Sequence, residues 1–475
     1  SIDTPFADSY LGQIEAASEQ TLTGTTGLTG AGQLVTVTLG GNDYAATVDA
    51  QGNWTVTLSS TVLQALPEGT NTLVVTVSDA TGSSGSLSSA ITVDFTPPEL
   101  SLNPVTGDNQ INSLEILQNI SVSGTASLAD AGQTVTVTLQ GETYQTLVLI
   151  DGTWVLEIPA SVMQGLPDGP YSLDVTLTDA AGNQTTLTQT LTRVADSASL
   201  PVLTLDAISG DNYLNQGEAA ADLTISGGST NLTAGQVITV SLNGQSYTGE
   251  VQADGRWTVT IPQADVSALP DGPQSVVVSA ADSAGNPTSS DATLNVIASG
   301  AALPTLSVDV VASDDIINAI EAGADLDVSG SSTQLAEGTV VTVTLNNVGY
   351  TGTVDAAGNW TVSVPSSALS GLPSGSQQTF VVTANDVAGN TALTNHNVAI
   401  DTTLPVLSDI SLSAGTSLNL AESLQDLTVN GNSDPGAQIT VVLNQITYTT
   451  SADENGVWSL AIPAADLQQL NDGLQ

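Results

Sequence analysis

The chain has 475 residues, which predicts three to five domains at the usual domain size. It carries 48 Asp and Glu residues against two Arg and no Lys, and the net charge of −46 excludes nucleic acids and anionic membranes as natural partners, because both require a basic surface. Cysteine is absent, and no stretch of 18 apolar residues predicts membrane insertion. The hydrophobic 40% is mostly Val, Leu, Ile and Ala, which together with abundant Thr is typical of β-strands.

One motif built around a tryptophan occurs five times. Each Trp follows a Tyr by ten residues and a Gly by two, and a Leu that opens an LPxG-like turn lies twelve residues after it. The tryptophans are Trp54, Trp154, Trp257, Trp360 and Trp458, spaced by 100, 103, 103 and 98 residues. Constant offsets predict five tandem copies of one domain, in which the Trp, Tyr and Gly occupy core and turn positions.

The second copy illustrates the elements predicted for each repeat. Most of its segments alternate between polar and apolar residues, as a strand with one buried and one solvated face does. In chain order the strands are expected at residues 99–102, 119–124, 133–140, 143–150, 153–158, 171–178 and 185–192. Seven strands in about 100 residues predict an immunoglobulin-like β-sandwich, with Trp154 on the fifth strand. The expected fold is therefore all-β, a tandem array of seven-stranded immunoglobulin-like sandwiches whose last member is incomplete.

The domain boundaries follow from the repeat period and from short linkers that contain proline. The expected domains are residues 1–94, 95–196, 197–299, 300–401 and 402–475. The fifth lacks the counterparts of the last two strands, so the chain is expected to be a segment of a longer array. In the alternative interpretation, a strand from a neighbouring chain completes the fifth domain.

Oxygen-bearing side chains recur in the loop after the first strand of each repeat. The second copy has the pattern Asp-Asn-x-x-Asn-x-x-Glu, and the first copy is degenerate. The candidate ligands in these loops are Asp8, Glu15, Asp108, Asn109, Asn112, Glu115, Asp211, Asn212, Asn215, Glu218, Asp314, Asp315, Asn318 and Glu321. Four such side chains at fixed spacing, without an evident buried role, favour metal binding over turn formation.

Two further acidic features recur. A turn of the type Asp-x-x-Gly-Asn precedes the last strand, and an Asp lies in most linkers. The candidates in the turns are Asp79, Asp179, Asn183, Asp282, Asn286, Asp386 and Asn390. The candidates in the linkers are Asp3, Asp94, Asp196 and Asp401. For the turn taken alone, a structural role in a hairpin is favoured over metal binding.

Sandwich topology is expected to bring these features together. In a head-to-tail array, the first-strand loop of one domain faces the last-strand turn of the next domain, with the linker between them. The junction of domains two and three would also gather Asp168 beside these residues. Several carboxylates so close repel one another unless a cation lies among them. Calcium takes six to eight oxygen ligands, and zinc and copper are poor candidates without Cys or more than one His.

The sequence resembles the bacterial immunoglobulin-like repeats of giant repetitive surface adhesins, of the biofilm-associated and type-I-secreted kinds. The matching segments are residues 93–98, Asp108-Asn109 with Asn112, residues 152–154 followed by Ile158-Pro159, residues 179–183, and residues 400–405. The resemblance implies calcium-bridged junctions, export to the surface of a Gram-negative bacterium, and a role in adhesion or biofilm formation. The linkers before Pro201 and Pro304 depart from the pattern, the first by Arg193 and an offset Asp.

The expected function is that of a structural extender in a bacterial cell-surface adhesin, with calcium ions and neighbouring repeats of the same chain as partners. Two alternatives stay open: a self-assembling matrix filament or homophilic adhesin that binds other copies of itself, and a glycan-binding module. No enzymatic activity is expected, because Cys and Lys are absent and the single His396 has no counterpart in the other repeats. His396 is expected to be an exposed strand residue.

Overall fold

The computed structural model describes residues 1–29, 33–471 and 473. Residues 30–32, 472, 474 and 475, which belong to the first and fifth predicted domains, lie outside the described residues. The described chain consists of β-strands joined by turns and by helices of at most five residues. This confirms the predicted all-β class of tandem immunoglobulin-like sandwiches.

Two compact units divide the chain. The first contains Ser1–Gly210, Leu223–Ile261 and Gln274–Leu294. The second contains Asp211–Asp222, Pro262–Pro273 and Asn295–Gln475. The five domain boundaries stay predictions, and the word repeat denotes below the five predicted ranges.

The strands of the first two repeats lie in the first unit. In the first repeat, pairing of Asn42–Val48 with Asn53–Leu58 joins all strands into one sheet. Across this sheet the order is Tyr10–Leu11, Ser84–Val93, Gly69–Ser78, Leu34–Leu39, Asn42–Val48, Asn53–Leu58 and Gln20–Thr25. In the second repeat, one sheet has the order Glu142–Leu147, Thr134–Leu139, Gly169–Thr178, Gln184–Arg193 and Gln110–Ile111, and the other pairs Thr153–Ile158 with Ile120–Thr125.

The later repeats use the same strands. Those of the third are Val202–Leu205, Tyr213–Asn215, Leu223–Thr230, Val237–Leu242, Gln245–Glu250, Arg256–Ile261, Gly272–Ala281 and Pro287–Ile297. In the fourth, one sheet has the order Thr305–Val308, Leu326–Thr333 and Asn359–Val364, and the other Ile316–Asn318, Thr391–Asp401, Gln377–Asn385, Val340–Leu345 and Val348–Thr353. The described strands of the fifth are Ser408–Leu412, Leu427–Asn432 and Val457–Ile462 in one sheet, and Gln438–Leu443 and Ile446–Ser451 in the other.

Short helices connect the strands. The α-helices are Gln13–Ala16, Ser60–Leu63, Ala160–Gln164, Gln263–Val266, Ser366–Leu369 and Ala464–Leu467. The 3-10 helices are Pro5–Ala7, Val105–Gly107, Glu115–Leu117, Leu128–Asp130, Ile208–Gly210, Glu218–Ala220, Val311–Ser313, Glu321–Gly323 and Glu422–Leu424.

The seven predicted strands of the second repeat need two corrections. The first, expected at 99–102, is reduced to a single bridge between Leu100 and Ala126, flanked by backbone hydrogen bonds. A short parallel strand, Gln110–Ile111, pairs with Thr192 and Arg193 instead. Its two residues are too few to show alternation, so the sequence pattern does not reveal it. This short strand holds the acidic loop beside the linker to the next repeat.

The tryptophan of each repeat lies in the core, as predicted. All five indole rings are at most 2% exposed. Trp154 stands opposite Gly124 on the paired strand, and a Cβ on that glycine would lie 2.7 Å from the ring. The same close approach occurs at Gly24, Gly227, Gly330 and Gly431. Each core therefore depends on a glycine that leaves room for the indole ring.

Candidate functional site at the repeat junctions

The first two polar residues of the acidic loop shape the loop itself. In the second repeat, the Asp108 carboxylate accepts the Gln110 N–H at 2.9 Å, which forms an Asx turn. Asp8, Asp211 and Asp314 accept the equivalent N–H in their repeats. Asn109 adopts φ +66°, a conformation that Asn and Asp tolerate better than most residues, and its Oδ1 accepts the Val105 N–H at 2.8 Å.

The other two polar residues of the loop form a capping box. The Glu115 Oε2 accepts the Asn112 N–H at 2.9 Å, and the Asn112 Oδ1 accepts the Glu115 N–H at 3.0 Å. The same reciprocal pair occurs in the later repeats, at Asn215 and Glu218, Asn318 and Glu321, and Asn419 and Glu422. Burial raises the pKa of Glu115 and of Glu15, although a backbone N–H opposes the shift in each case. The recurring loop pattern thus has a structural role.

An asparagine in the last-strand turn connects one repeat to the preceding one. Asn286 is fully buried, and its Oδ1 accepts the Ser113 N–H of the second repeat at 2.7 Å. Its Nδ2 donates to the Val194 carbonyl in the linker at 2.9 Å and to the Asp282 Oδ2 in its own turn at 2.8 Å. One side chain therefore joins the acidic loop, the linker and the turn. We call this arrangement the asparagine staple.

The staple occurs at two further junctions. Asn183 accepts from the Gln13 N–H at 2.7 Å and donates to the Asp94 carbonyl at 2.9 Å. Asn390 accepts from the Gln216 N–H and donates to the Ile297 carbonyl, both at 2.9 Å. In both turns the Asp three residues before the Gly, Asp179 or Asp386, accepts the other amide hydrogen. Each junction with a described turn thus has the same protein–protein hydrogen bonds.

The acidic loop also contacts the turn directly. Asn112 Nδ2 donates to the Ala284 carbonyl at 3.0 Å, and Asn215 Nδ2 donates to the Ala388 carbonyl at 3.1 Å. In the degenerate first repeat, Gly12 takes this position, and a Cβ there would lie 1.9 Å from the Ala181 carbonyl oxygen. The first junction is therefore closer than the others, which explains the departure from the loop pattern.

The linker and first-repeat aspartates have local partners. Asp3 accepts the Thr23 hydroxyl at 2.6 Å, and Asp94 accepts the Thr96 N–H at 3.0 Å. Asp401 accepts the Thr403 N–H at 3.2 Å. Asp79 accepts the Ser83 N–H at 2.9 Å within an exposed turn. These carboxylates stabilise turns in their own segments.

Arg193 places a positive charge at the junction of the second and third repeats. Its side chain is 5% exposed, and its Nη1 lies 2.5 Å from the Asp168 carboxylate and 2.8 Å from that of Asp196. Its Nε donates to the Met163 carbonyl at 3.1 Å. The residues at the same position of the other complete repeats are apolar and buried: Val93, Val296 and Ile400.

The Arg193 charge and local hydrogen bonds stabilise the neighbouring carboxylate. Burial by itself would raise the pKa of Asp168, but hydrogen bonds from Ser199 and from two backbone N–H groups, together with the Arg193 charge, lower this pKa overall. At this junction the protein itself supplies a cation between the two carboxylates.

The first junction has no such cation, and an unpredicted residue adds to its negative charge. Asp130 is buried, and its pKa is raised first by burial and then by the charges of Asp179, Asp94 and Glu99. Asp130 lies outside the three repeated motifs, so repeat spacing carries no signal for it. Four carboxylates therefore influence one another where the first repeat meets the second.

The donors present bear on a bound metal ion in two ways. Within residues 1–29, 33–471 and 473, no three His, Cys, Asp or Glu side chains lie close enough to hold one ion. The loop and turn ligands predicted from sequence already have protein partners. The buried Asp130, by contrast, is destabilised in its ionised form by Asp94 and Glu99, which is the condition that a hard cation with oxygen ligands relieves. Of the junctions, the first fits calcium best.

His396 differs from the expectation of an exposed strand residue. It lies in the strand Thr391–Asp401, but its side chain is only 20% exposed, and its Nε2 is 2.7 Å from the Asp315 carboxylate. That hydrogen bond is the main cause of the lowered pKa of Asp315. In the described part of the chain, none of the helices has the length and apolar character needed to span a membrane.

Comparison with known proteins finds one matching family. Residues 15–95 and 99–197 each match the bacterial Ig-like domain. No curated protein sequence matches the chain.

Three solved structures are similar in sequence. A Ca2+-stabilised adhesin that helps an Antarctic bacterium bind ice is 34% identical over 84% of this chain and 98% of its own, with a TM-score of 0.31. A 1.5-MDa bacterial ice-binding adhesin is 32% identical over 65% of this chain and 100% of its own, with a TM-score of 0.31. A tetra-tandem repeat from the extending region of a large adhesion protein is 25% identical over 83% and 98%, with a TM-score of 0.33.

Proposed function

Since this chain belongs to the bacterial immunoglobulin-like repeat family, we propose that it is an extender segment of an adhesin on the bacterial cell surface. Its role would be to hold a binding region away from the cell for attachment and biofilm formation. The observation that carries the proposal is the asparagine staple, which recurs at Asn183, Asn286 and Asn390.

The staple supports an extender because it resists bending between neighbouring repeats. Each staple asparagine is at most 9% exposed and bonds to both the loop and the linker of the preceding repeat. Separating the two repeats would expose these groups and break hydrogen bonds, each worth about 0.5–1.5 kcal/mol. A repeat array gains reach with each copy, provided that its junctions hold their geometry.

Negative charge opposes the same geometry. The chain has a net charge of −46, and repulsion at the first junction raises the pKa of the buried Asp130. We propose that calcium binds there, held by Asp94, Glu99 and Asp130, with Asp179 adding to the negative field. When bound, the ion would neutralise the carboxylates and stiffen the junction. The other sequence-predicted metal ligands stay predictions.

The second junction provides an internal comparison. There, Arg193 already lies between Asp168 and Asp196. A built-in cation makes a bound metal ion unnecessary for charge balance. The proposal therefore expects the first junction to respond to calcium and the second to be indifferent to it.

Spin-label distances test both expectations in the whole chain. Cysteine is absent, so two introduced cysteines label uniquely. The exposed pair Ser86→Cys and Thr143→Cys spans the first junction, and the exposed pair Thr143→Cys and Gln245→Cys spans the second. Double electron–electron resonance should give a distance distribution that narrows with calcium and broadens with EDTA for the first pair only. Calorimetric titration should detect calcium binding that Asp130→Asn abolishes.

The outcomes separate the extender from the calcium site. Broad distributions for both pairs in calcium and in EDTA would mean flexible junctions and would overturn the extender. Narrow distributions that ignore EDTA would keep the extender but remove calcium from its mechanism. A calcium response at the second junction would contradict the role given to Arg193.

A further inference from the structure

The second repeat has an apolar surface that the other repeats lack. Leu147, Leu149, Ile150 and Val155 are 54%, 50%, 94% and 48% exposed. We call these four side chains the apolar tip. Their counterparts, counted from the tryptophan, are polar or small in every other repeat: Thr47, Asp49, Ala50 and Thr55; Glu250, Gln252, Ala253 and Thr258; Thr353, Asp355, Ala356 and Thr361; Ser451, Asp453, Glu454 and Ser459.

The apolar tip is contiguous, because its residues belong to one hairpin. Leu147 ends the strand Glu142–Leu147, and Val155 lies on the next strand. In the first repeat, the counterpart hydroxyls of Thr47 and Thr55 are 3.0 Å apart, so these two positions face each other across the strands. Leu149 and Ile150 lie in the tight turn between the strands, which the Gly152 N–H closes onto the Leu149 carbonyl at 3.0 Å.

A stabilising interaction is missing where Leu149 stands. In three of the other repeats this position is an aspartate that caps the turn, and Asp49, for example, accepts the Gln51 and Asn53 N–H groups at 2.9 and 2.8 Å. Asp355 and Asp453 do the same. In the second repeat, Asp151 caps the turn instead through the Thr153 N–H at 3.0 Å. An exposed leucine in place of a cap contributes nothing to the folding of the repeat, which points to a role outside it.

The rim of the apolar tip carries negative charge alone. Glu142 and Glu157 are exposed on the same two strands, and Asp151 is exposed in the turn. Hydrogen bonds from Thr153 lower the pKa of Asp151, so its carboxylate is ionised at neutral pH. The chain's two arginines lie elsewhere, each paired with aspartate. A second copy would bring the same charges, and two chains of net charge −46 repel.

We infer that the apolar tip is a docking site for a basic, amphipathic polypeptide segment whose aliphatic side chains cover the four residues while flanking Lys or Arg side chains meet Glu142, Asp151 and Glu157. Exposed apolar groups rimmed by charge are typical of interaction sites, and complementary charge favours encounter with the right partner. This site is separate from the junctions and needs no calcium.

The test compares two probes and two forms of the full chain. The probes are synthetic peptides of alternating Leu and Lys or of alternating Ser and Lys, equal in length and charge. The variant L147T/L149Q/I150A/V155T takes every residue from a sibling repeat, so the fold tolerates each one, and its net charge is unchanged. At physiological salt, the wild-type chain should bind the Leu–Lys peptide at least ten times more tightly than the variant does, while the Ser–Lys peptide binds both forms equally weakly.

A graft keeps the test decisive if the variant folds poorly. Moving the apolar tip to the fourth repeat, by T353L/D355L/A356I/T361V, should double the number of Leu–Lys binding sites. Equal binding of the Leu–Lys peptide by the wild-type chain and the variant would overturn the inference, because charge alone would then explain it. Dimers of the wild-type chain in sedimentation, absent in the variant, would also overturn it by making a second copy the occupant.

Discussion

Substitution of Asn286 by Ala gives the sharpest test of the asparagine staple. The change removes three hydrogen bonds of 2.7, 2.9 and 2.8 Å from a fully buried side chain. Two of them join the second and third repeats, and their loss leaves the Ser113 N–H and the Val194 carbonyl without these partners. At about 1 kcal/mol for each bond, plus the cost of unsatisfied buried groups, the junction should lose about 2–4 kcal/mol.

Hydrogen exchange measured by mass spectrometry reports this loss where it occurs. A loss of 2 kcal/mol corresponds to an increase of about 30-fold in exchange, because 1.4 kcal/mol is tenfold. The Ser113 amide should therefore exchange at least about 30 times faster in Asn286→Ala, while the cores of the neighbouring repeats are unaffected. Asn286→Asp should be at least as harmful, since it places a carboxylate against the Val194 carbonyl and the Asp282 side chain.

Ser83→Ala provides the matched control. Ser83 occupies the staple position in the turn of the first repeat, where it is exposed. This substitution should change stability by less than about 0.5 kcal/mol. If Ser113 exchanges at the wild-type rate in Asn286→Ala, or if Ser83→Ala has the same effect as Asn286→Ala, the staple does not stabilise the junction.

Three further predictions concern single repeats. Asp168→Ala with Asp196→Ala leaves Arg193 buried without its partners and should cost about 3–5 kcal/mol in thermal unfolding, whereas Arg193→Val should be nearly neutral. Because its pKa is raised in the folded state, Asp130 favours folding below its unfolded pKa and loses this contribution as pH rises through its folded pKa. Asp130→Asn should therefore raise the melting temperature at pH 7 in EDTA but have little effect at pH 3. Gly124→Ala should cost about 1–3 kcal/mol, because its Cβ would overlap the indole ring.

Each of these predictions has a comparison that could contradict it. Equal losses for Arg193→Val and the double aspartate substitution would mean that the charge pair itself stabilises the repeat. A melting temperature of Asp130→Asn that differs from wild type equally at both pH values would exclude titration of this carboxyl as the cause. Gly85→Ala is the control for Gly124, because nothing lies within 4 Å of its added Cβ; equal effects would show that the indole contact is unimportant.

Local patterns carried most of the fold. Alternation with period two predicted the strands now seen at Ile120–Thr125, Thr134–Leu139 and Thr153–Ile158 to within about two residues. The offset from each tryptophan predicted the repeats, because a buried indole needs the same neighbours in every copy. Elements of two to five residues escaped detection, such as Gln110–Ile111 and Ala160–Gln164, since they are shorter than the periods that would reveal them.

The roles of the polar residues were decided by the tertiary structure. The sequence by itself determined that acidic loops, turns and linkers recur, and that the chain bears a net charge of −46. It could not tell that Asn286 bonds to Ser113, 173 positions away, or that Arg193 lies between Asp168 and Asp196. An oxygen-bearing side chain has the same composition whether it caps a turn, staples a junction or binds an ion. Only the groups that folding places within hydrogen-bonding distance of it select among these roles.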